Sequence, residues 1–437
     1  MLDRLFYNAH LAYEMMVVNQ DVGVYRDAKL FGGTGGGGGT GDYHPASAAN
    51  VGVGLIDLAI ADSMAWVDDA EDRALRTLEA VMSAAGETET KGTEGFAPDR
   101  NGDGYFRHFM DVETGANAWD SEYSTIDTGI LISGALFAGS YFADKRDNNT
   151  DILDRAVRLF ESVDWAAAIA DPDTGAIYRT MEKDGRGTPS SLTYPFNEYM
   201  IVAYLAKLSE EAKGGGEEGG GGGGDGPAGR LWNRFYADPS NLPRNNYWGI
   251  EVLADHPTRF LPHFVVQFAY YLCHPFAESD EYVGFMDSAR KADQLWWSKA
   301  APNVAKEYQW GLGAGSCPGG KGYCADAIDD NPERIYSPHV VAGFLPVYPE
   351  GASHLERMML DIDGNSGAAL YGFDEVPGTE ILWRASLEQP EWRAKEVQGI
   401  DYASMLFGLA SLPQHLGPGF FQKYNDFASI VSYKART

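Results

Sequence analysis

Four acidic residues, Glu122, Asp127, Glu198 and Asp401, stand apart from the other acids of this chain. Two carboxylates on opposite sides of a glycosidic bond are enough to hydrolyse it: one gives a proton to the leaving oxygen, the other activates water or attacks carbon. With 63 acidic residues in 437, most Asp and Glu near helix starts are caps or dipole partners. Asp127 and Glu198, however, sit inside apolar sequence, flanked by Tyr123, Tyr194, Phe196 and Tyr199. Pyranose faces stack on aromatic rings, and Trp119, Tyr247, Trp248, Tyr308 and Trp310 lie in stretches expected to be loops. Asn197 and Tyr199, on either side of Glu198, join the expected saccharide contacts. A helix N-terminus lowers a carboxyl pKa, whereas a proton donor needs a raised one. If Glu198 is the acid, burial or a neighbouring carboxylate must outweigh the dipole; Asp401, as base, needs no such reversal.

The elements that must position these acids are helices. Apolar segments rich in small residues begin near Ala48, Thr125, Pro195, Pro262, Pro338 and Ile400, at intervals of roughly 70 residues, with room between them for an amphipathic helix and a long loop. Residues 150–163 show one such amphipathic stripe, with Ile152, Ala156, Leu159, Phe160 and Val163 behind a Thr150 cap. Six buried helices with six outer partners predict an all-α fold, an (α/α)6 toroid of helical hairpins. An irregular helical assembly would share the composition. The ring is favoured because it sets Asp127, Glu198 and Asp401 in the first turns of inner helices, at one mouth. Residues 1–437 read as a single domain, with Gly-rich loop insertions at 32–41 and 214–229.

Composition bounds the partners. Lys and Arg number 34 against the 63 acids, a net charge of −29, which repels nucleic acid and leaves a neutral oligo- or polysaccharide acceptable. No protein partner is implied. No run approaches 18 apolar residues, so no membrane association is expected, and the start, MLDRLFYNAH, lacks the pattern of a secretion signal. The compartment is cytoplasmic, or secreted or periplasmic if a leader is missing. Cys317 and Cys324 are close enough to pair in an oxidising compartment, which leaves Cys273 alone.

Several motifs imitate other chemistries. Asp99-Arg100-Asn101-Gly102-Asp103-Gly104 begins like a calcium loop, but Met110 occupies the last ligand position. Asp361, Asp363 and Asn365 lack the turn glycine. Residues 315–322 imitate a phosphate loop without the final hydroxyl, and no zinc motif or serine elbow is present, so neither cofactor nor metal is expected. His263 and His339 read as core histidines. Asn148-Asn149-Thr150 fits an N-glycosylation triplet, a pattern that arises often by chance.

Taken together, ordered blocks from Ala46 to Tyr402 carry a resemblance to a known family. GYFRHFMDVETGANAWDSEYSTIDTGILISGAL (Gly104 to Leu136), YPFNEYM (Tyr194 to Met200), WGLGAGSCPGGKGY and YSPHVVAGFLPVYPEGA resemble the glycoamylase-like domain, which includes endo-β-1,2-glucanases of glycoside hydrolase family 144 and a domain of cyclic β-1,2-glucan synthases. The resemblance implies an (α/α)6 barrel and hydrolysis with inversion. It implies Glu198 as general acid, acting through a substrate hydroxyl, Asp401 as base, and Glu122 and Asp127 lining the cleft. The sequence departs from the family where I-D-Q-G-P reads Ile400-Asp401-Tyr402-Ala403-Ser404, and the following E-N-Y-R element is absent. Two other readings remain: a carbohydrate-binding protein of the same fold without activity, and a sugar isomerase or epimerase.

Overall fold

The computed structural model describes residues 1–30, 44–83, 95–145, 150–214, 226–255, 262–302, 304–360, 370–372 and 380–434. Its helices among these are α1 (Leu2–Met16), α2 (Ala48–Ser63), α3 (Ala70–Met82), α4 (Thr125–Lys145), α5 (Asp151–Glu161), α6 (Met200–Gly214), α7 (Pro227–Leu231), α8 (Phe264–Leu272), α9 (His274–Glu278), α10 (Asp280–Ala300), α11 (Pro338–Gly343), α12 (Gly351–Leu360), α13 (Gly399–Ala410), α14 (Gly419–Tyr424) and α15 (Phe427–Lys434). Among the described residues, strands are two to four residues long and serve as connections. The expected helical class is what the chain adopts.

The small-residue segments become helices buried nearly all round. In α2 every residue from Ala48 to Ala61 is buried, and in α13 all but Ile400. α2 packs on α4, α4 on α6, α6 on α8, α8 on α11, α11 on α13, and α13 returns to α2. Amphipathic partners cover them from outside: α3 lies on α2, α5 on α4, α7 on α6, α10 on α8, α12 on α11 and α1 on α13. The stripe predicted before Val163 is α5, which buries Ile152, Ala156, Leu159 and Phe160. Glycine permits the close inner crossings. A Cβ on Gly134 of α4 would stand 2.0 Å from the Gly52 carbonyl of α2, and one on Gly408 of α13 1.9 Å from that of Ala342. An added methyl at either place forces the helices apart.

α4 is long and apolar enough to cross a membrane, which the absence of a continuous apolar run did not signal, yet 83% of its apolar window is covered by protein. It is a core helix, and its hydrophobicity answers to α2, α5 and α6. The glycine tract 32–41, most of 214–229, Asp361, Asp363, Asn365 and Asn148-Asn149 lie outside the described residues.

Antiparallel ribbons lead into four inner helices. Ala46–Ser47 pairs with Phe109–Met110 ahead of α2, and Tyr123–Ser124 with Thr180–Met181 ahead of α4. Ile335–Tyr336 pairs with Ala385–Ser386 ahead of α11, and Glu396–Gln398 with Ala28–Leu30 ahead of α13. Pairing satisfies backbone groups that would otherwise need water. It also binds distant loops to the starts of the inner helices, where the candidate acids stand.

Candidate active site

Asp127 is in the first turn of α4, as expected. Ser124 caps the helix: its hydroxyl donates to Asp127 Oδ2 at 2.5 Å and accepts the Asp127 N–H at 3.2 Å. That reciprocal pair fixes one carboxylate oxygen and leaves Oδ1 facing His108 Nε2 at 3.6 Å. His108 and Glu122 meet across the adjoining ribbon, Nδ1 to Oε1 at 3.1 Å. Burial works against a charged imidazole here, but Asp127, Glu122 and Asp27 outweigh it and push His108 up to about 9. The bond from His108 in turn holds Glu122 below the usual carboxylate range.

Glu198 corrects one expectation. The helix begins at Met200, so Glu198 belongs to the turn ahead of α6 and is not in its first turn. Asn197 is the cause. Its amide donates to Thr193 Oγ1 at 2.5 Å, to the Tyr194 carbonyl at 2.8 Å and to Asp255 Oδ1 at 3.2 Å, while its oxygen accepts the Tyr199 N–H at 3.1 Å. A side chain that bonds local backbone competes with the helix and makes a turn instead. Burial pushes Glu198 up to about 7, and the neighbouring Asp255 and Asp127 add to the rise. The conflict with the helix dipole is thus resolved in favour of the protonated acid.

Asp401, in the first turn of α13, is 3% exposed. Tyr323 donates its hydroxyl to Oδ1 at 3.1 Å, and Oδ2 is buried without a hydrogen-bond partner. Burial raises Asp401 to about 7, with Asp27 adding to the rise, while Arg384 and the Tyr323 bond oppose it by favouring the anion. Each acid feels a guanidinium, Arg179 at Glu198 and Arg384 at Asp401; they differ in that two carboxylates, Asp255 and Asp127, favour neutral Glu198, whereas the Tyr323 hydroxyl favours ionised Asp401.

These groups share one electrostatic neighbourhood. Asp127 acts on both Glu198 and Asp27, Asp27 acts on Asp401, and Tyr323 is within range of both Asp401 and Glu198. Burial raises Asp27 to about 6. Tyr199 joins the group, since Glu198, Asp127 and Glu122 all act on its phenol. Trp119, 55% exposed at φ +55° on the loop between His108 and Glu122, turns an indole edge to Phe109 and His44.

The structure does not bring every candidate to this group. Trp310 is 1% exposed, its N–H bonded to His354 Nδ1 at 2.8 Å and its ring stacked near Phe344. Tyr308 is buried with the Arg357 guanidinium 4.3 Å above its ring. Trp310 borders a separate cavity of about 340 Å³ between α10 and α12. Trp248 is exposed at the tip of the Arg244–Leu253 hairpin, beside Tyr247. His263 and His339 are core residues as expected: burial holds His263 down at about 3, and His339 lies against Trp383.

Six residues of the neighbourhood were not among the candidates: Asp27, His108, Arg179, Asp255, Tyr323 and Arg384. Tyr323 and His108 sat in the quoted family blocks; no local signal marked the others. Residues 314–325 form a hairpin closed by the Cys317–Cys324 disulfide, the pairing allowed by their spacing, and Cys273 is a buried thiol. In the calcium-like turn, Asn101 Oδ1 accepts from the backbone of Asp103 and Tyr105, and Asp99 holds Arg107 and Tyr123. Those oxygens already have structural work. Elsewhere, His10, Glu14 and Asp57 bring ligand-type atoms within 4.8 Å of one another, with Arg73 already bonded to Glu14 at 2.6 Å.

No family model matches the sequence, and no curated protein matches it. Solved structures do match, across the whole chain. A Bacteroides caccae protein provisionally named a glucoamylase superposes with TM-score 0.75 at 17% identity, covering 99% of this chain and 98% of its own. An endo-β-1,2-glucanase from Chitinophaga pinensis, solved with sophorotriose and glucose, gives 0.74 at 15%, covering 100% and 98%. One from Talaromyces funiculosus, solved with sophorose, gives 0.64 at 12%, covering 100% and 89%. The family resemblance carried by the sequence blocks is therefore met by structural neighbours of the same description, and this chain shares their fold from end to end.

Proposed function

We propose that the chain is a glycoside hydrolase of the glycoamylase-like kind that cleaves a β-linked glucan, β-1,2-glucan before others, with inversion at the anomeric carbon. The observation that carries the proposal is two buried carboxyl groups, both raised to about 7, at the entrances of two inner helices, with Tyr323 bonded to Asp401 and within electrostatic range of Glu198. The cyclic packing of α2, α4, α6, α8, α11 and α13 supports reading the architecture as an (α/α)6 toroid in one domain, which sets those entrances around a single mouth. The saccharide complexes of two structural neighbours support a glucan there.

Glu198 is the general acid. Its proton passes to the glycosidic oxygen, directly or through a substrate hydroxyl. Asp401 Oδ2, the unpartnered oxygen, takes the proton from the water that attacks the anomeric carbon. Glu122 and Asp127, polarised by His108, accept hydroxyls of the sugar, as do Asn197 and Tyr199 beside the acid. Trp119 offers a stacking surface. Tyr308 and Trp310, although expected to contact sugar, are buried.

The test is incubation with linear β-1,2-, β-1,3- and β-1,4-glucans, following new reducing ends and, by early NMR, their anomeric form. Inversion releases the α-anomer. Glu198→Gln and Asp401→Asn should each lower turnover about 10²–10⁴-fold with the fold retained. Binding without new reducing ends from any glucan sinks the hydrolase reading in favour of a binding protein. Because acid and base both sit at about 7, kcat/KM should peak near neutrality: above it Glu198 loses its proton, below it Asp401 gains one.

A further inference from the structure

Tyr323 is placed by a segment with little packing of its own. The hairpin pairs Ala314–Ser316 with Tyr323–Ala325, and between its strands Gly319, Gly320 and Gly322 all adopt φ between +72° and +74°. A Cβ at any of the three would meet nothing within 4 Å, and Lys321 among them ties the turn to the body through its Nζ on Glu333 Oε1 at 2.7 Å. The first strand is moored: Ser316 N–H donates to Gln398 Oε1 at 3.2 Å and its hydroxyl to Glu396 Oε2 at 3.1 Å. Gly315, at φ +135°, admits the Arg384 side chain, which leaves no room there for a Cβ. The second strand, which carries Tyr323, is held by three residue pairs, by Arg384 Nη1 donating to the Cys324 carbonyl at 3.4 Å, and by the disulfide beside Tyr323.

The phenol has two faces of use. Its hydroxyl reaches Asp401 Oδ1, while 53% of the residue stays exposed. With Oδ1 fixed, Oδ2 is the oxygen left without a partner. We propose that Tyr323 is a positioning residue that orients the Asp401 carboxylate, and that the Cys317–Cys324 disulfide holds it in place, so that a dithiol reductant disables the base without unfolding the protein. The proposal rests on the reading of Asp401 as the base. The redox step is ordinary exchange: a dithiol supplies two electrons and two protons, the S–S bond becomes two thiols, and the reductant leaves as its cyclic disulfide.

The charged and titratable groups that act on Asp401 are Arg384, Asp27 and Tyr323; Asp401 also acts on Tyr13, and Glu198 on Tyr323. Removing the phenol hydroxyl takes away a donor that favours the anion, so the Asp401 midpoint must rise.

The experiment uses the full chain, oxidised and treated with dithiothreitol, with Tyr323→Phe and Cys317→Ser/Cys324→Ser beside it. One readout is the Asp401 carboxyl titration by ¹³C NMR, its signal assigned with Asp401→Asn; the other is glucan hydrolysis against pH. Tyr323→Phe should move the titration and the acid limb of kcat to higher pH and lower kcat roughly tenfold, with KM kept because the ring remains. Reduction of the wild type should reproduce that shift, the double serine variant should show it with or without reductant, and Tyr323→Phe should respond to reductant no further. An Asp401 titration unchanged in Tyr323→Phe, or unchanged after thiol counting proves reduction, overturns the proposal. If the serine variant does not fold, the reduced wild type decides. Should the wild type cleave no glucan, the reading of Asp401 as base fails by itself, and the titrations still decide whether Tyr323 and the disulfide position it.

Discussion

Two imidazole–carboxylate groups in this molecule are treated in opposite ways. His10 of α1 bonds both oxygens of Asp57 of α2, at 3.1 and 3.0 Å, with both side chains sealed and Trp66 stacked on the imidazole. Burial opposes the charge on His10, yet Asp57 outweighs it and raises the ring above its ordinary value. His108 also sits between carboxylates, but Glu122 and the ring are partly open and the Asp127 contact is 3.6 Å. The first group turns His10 Nδ1 and both Asp57 oxygens on each other and joins two helices. The second keeps acceptor oxygens free for a hydroxyl-rich ligand. Burial and a charged partner do not by themselves mark a site; unspent hydrogen-bonding capacity does.

The comparison breaks if the closed group matters to chemistry or the open one to stability alone. The largest expected effect is at the closed pair: Asp57→Ala should cost about 3–5 kcal/mol of stability in urea denaturation, while turnover per folded molecule stays unchanged. A turnover loss in molecules proven folded erases the distinction. His108→Gln should do the reverse, lowering kcat/KM roughly tenfold by removing the cation that polarises Glu122 and Asp127. A pH series sharpens the same point. The His108 pKa is raised, to about 9, so its stabilising share is complete below about 6.5 and is lost as pH climbs to about 9. Urea midpoints should therefore fall across that window in the wild type and fall less in His108→Gln. The smallest effect is expected at the rim, where Trp119→Ala should raise KM by the equivalent of about 1 kcal/mol with kcat kept. Trp310→Phe, by contrast, should leave KM alone and lower the melting temperature, because that indole is buried against His354 and Phe344.

Much of the frame was legible in the residues. Small-residue runs with glycine at Gly52, Gly134 and Gly408 marked helices buried on all sides, and α2, α4, α11 and α13 start within a residue of where the pattern places them. The start of α6 was misread by five residues because Pro195 is a permitted first helical residue, whereas the side chain of Asn197 makes a turn there. For Trp310 the limit is different: glycine-rich sequence marks a loop, but not that the aromatic beside it is buried.

The chain's own order of residues determined the helical class, the two candidate acids and the acidic character, since these follow from periodicity, residue type and charge. Only the tertiary structure decided which other residues meet them. Asp27, His108, Asp255, Tyr323 and Arg384 come from five separate segments, and their convergence depends on ribbons and a disulfide that have no local sequence period. Residue type alone also could not say that burial raises Glu198 and Asp401 to about 7, because two carboxyl groups are chemically alike until the fold surrounds them differently.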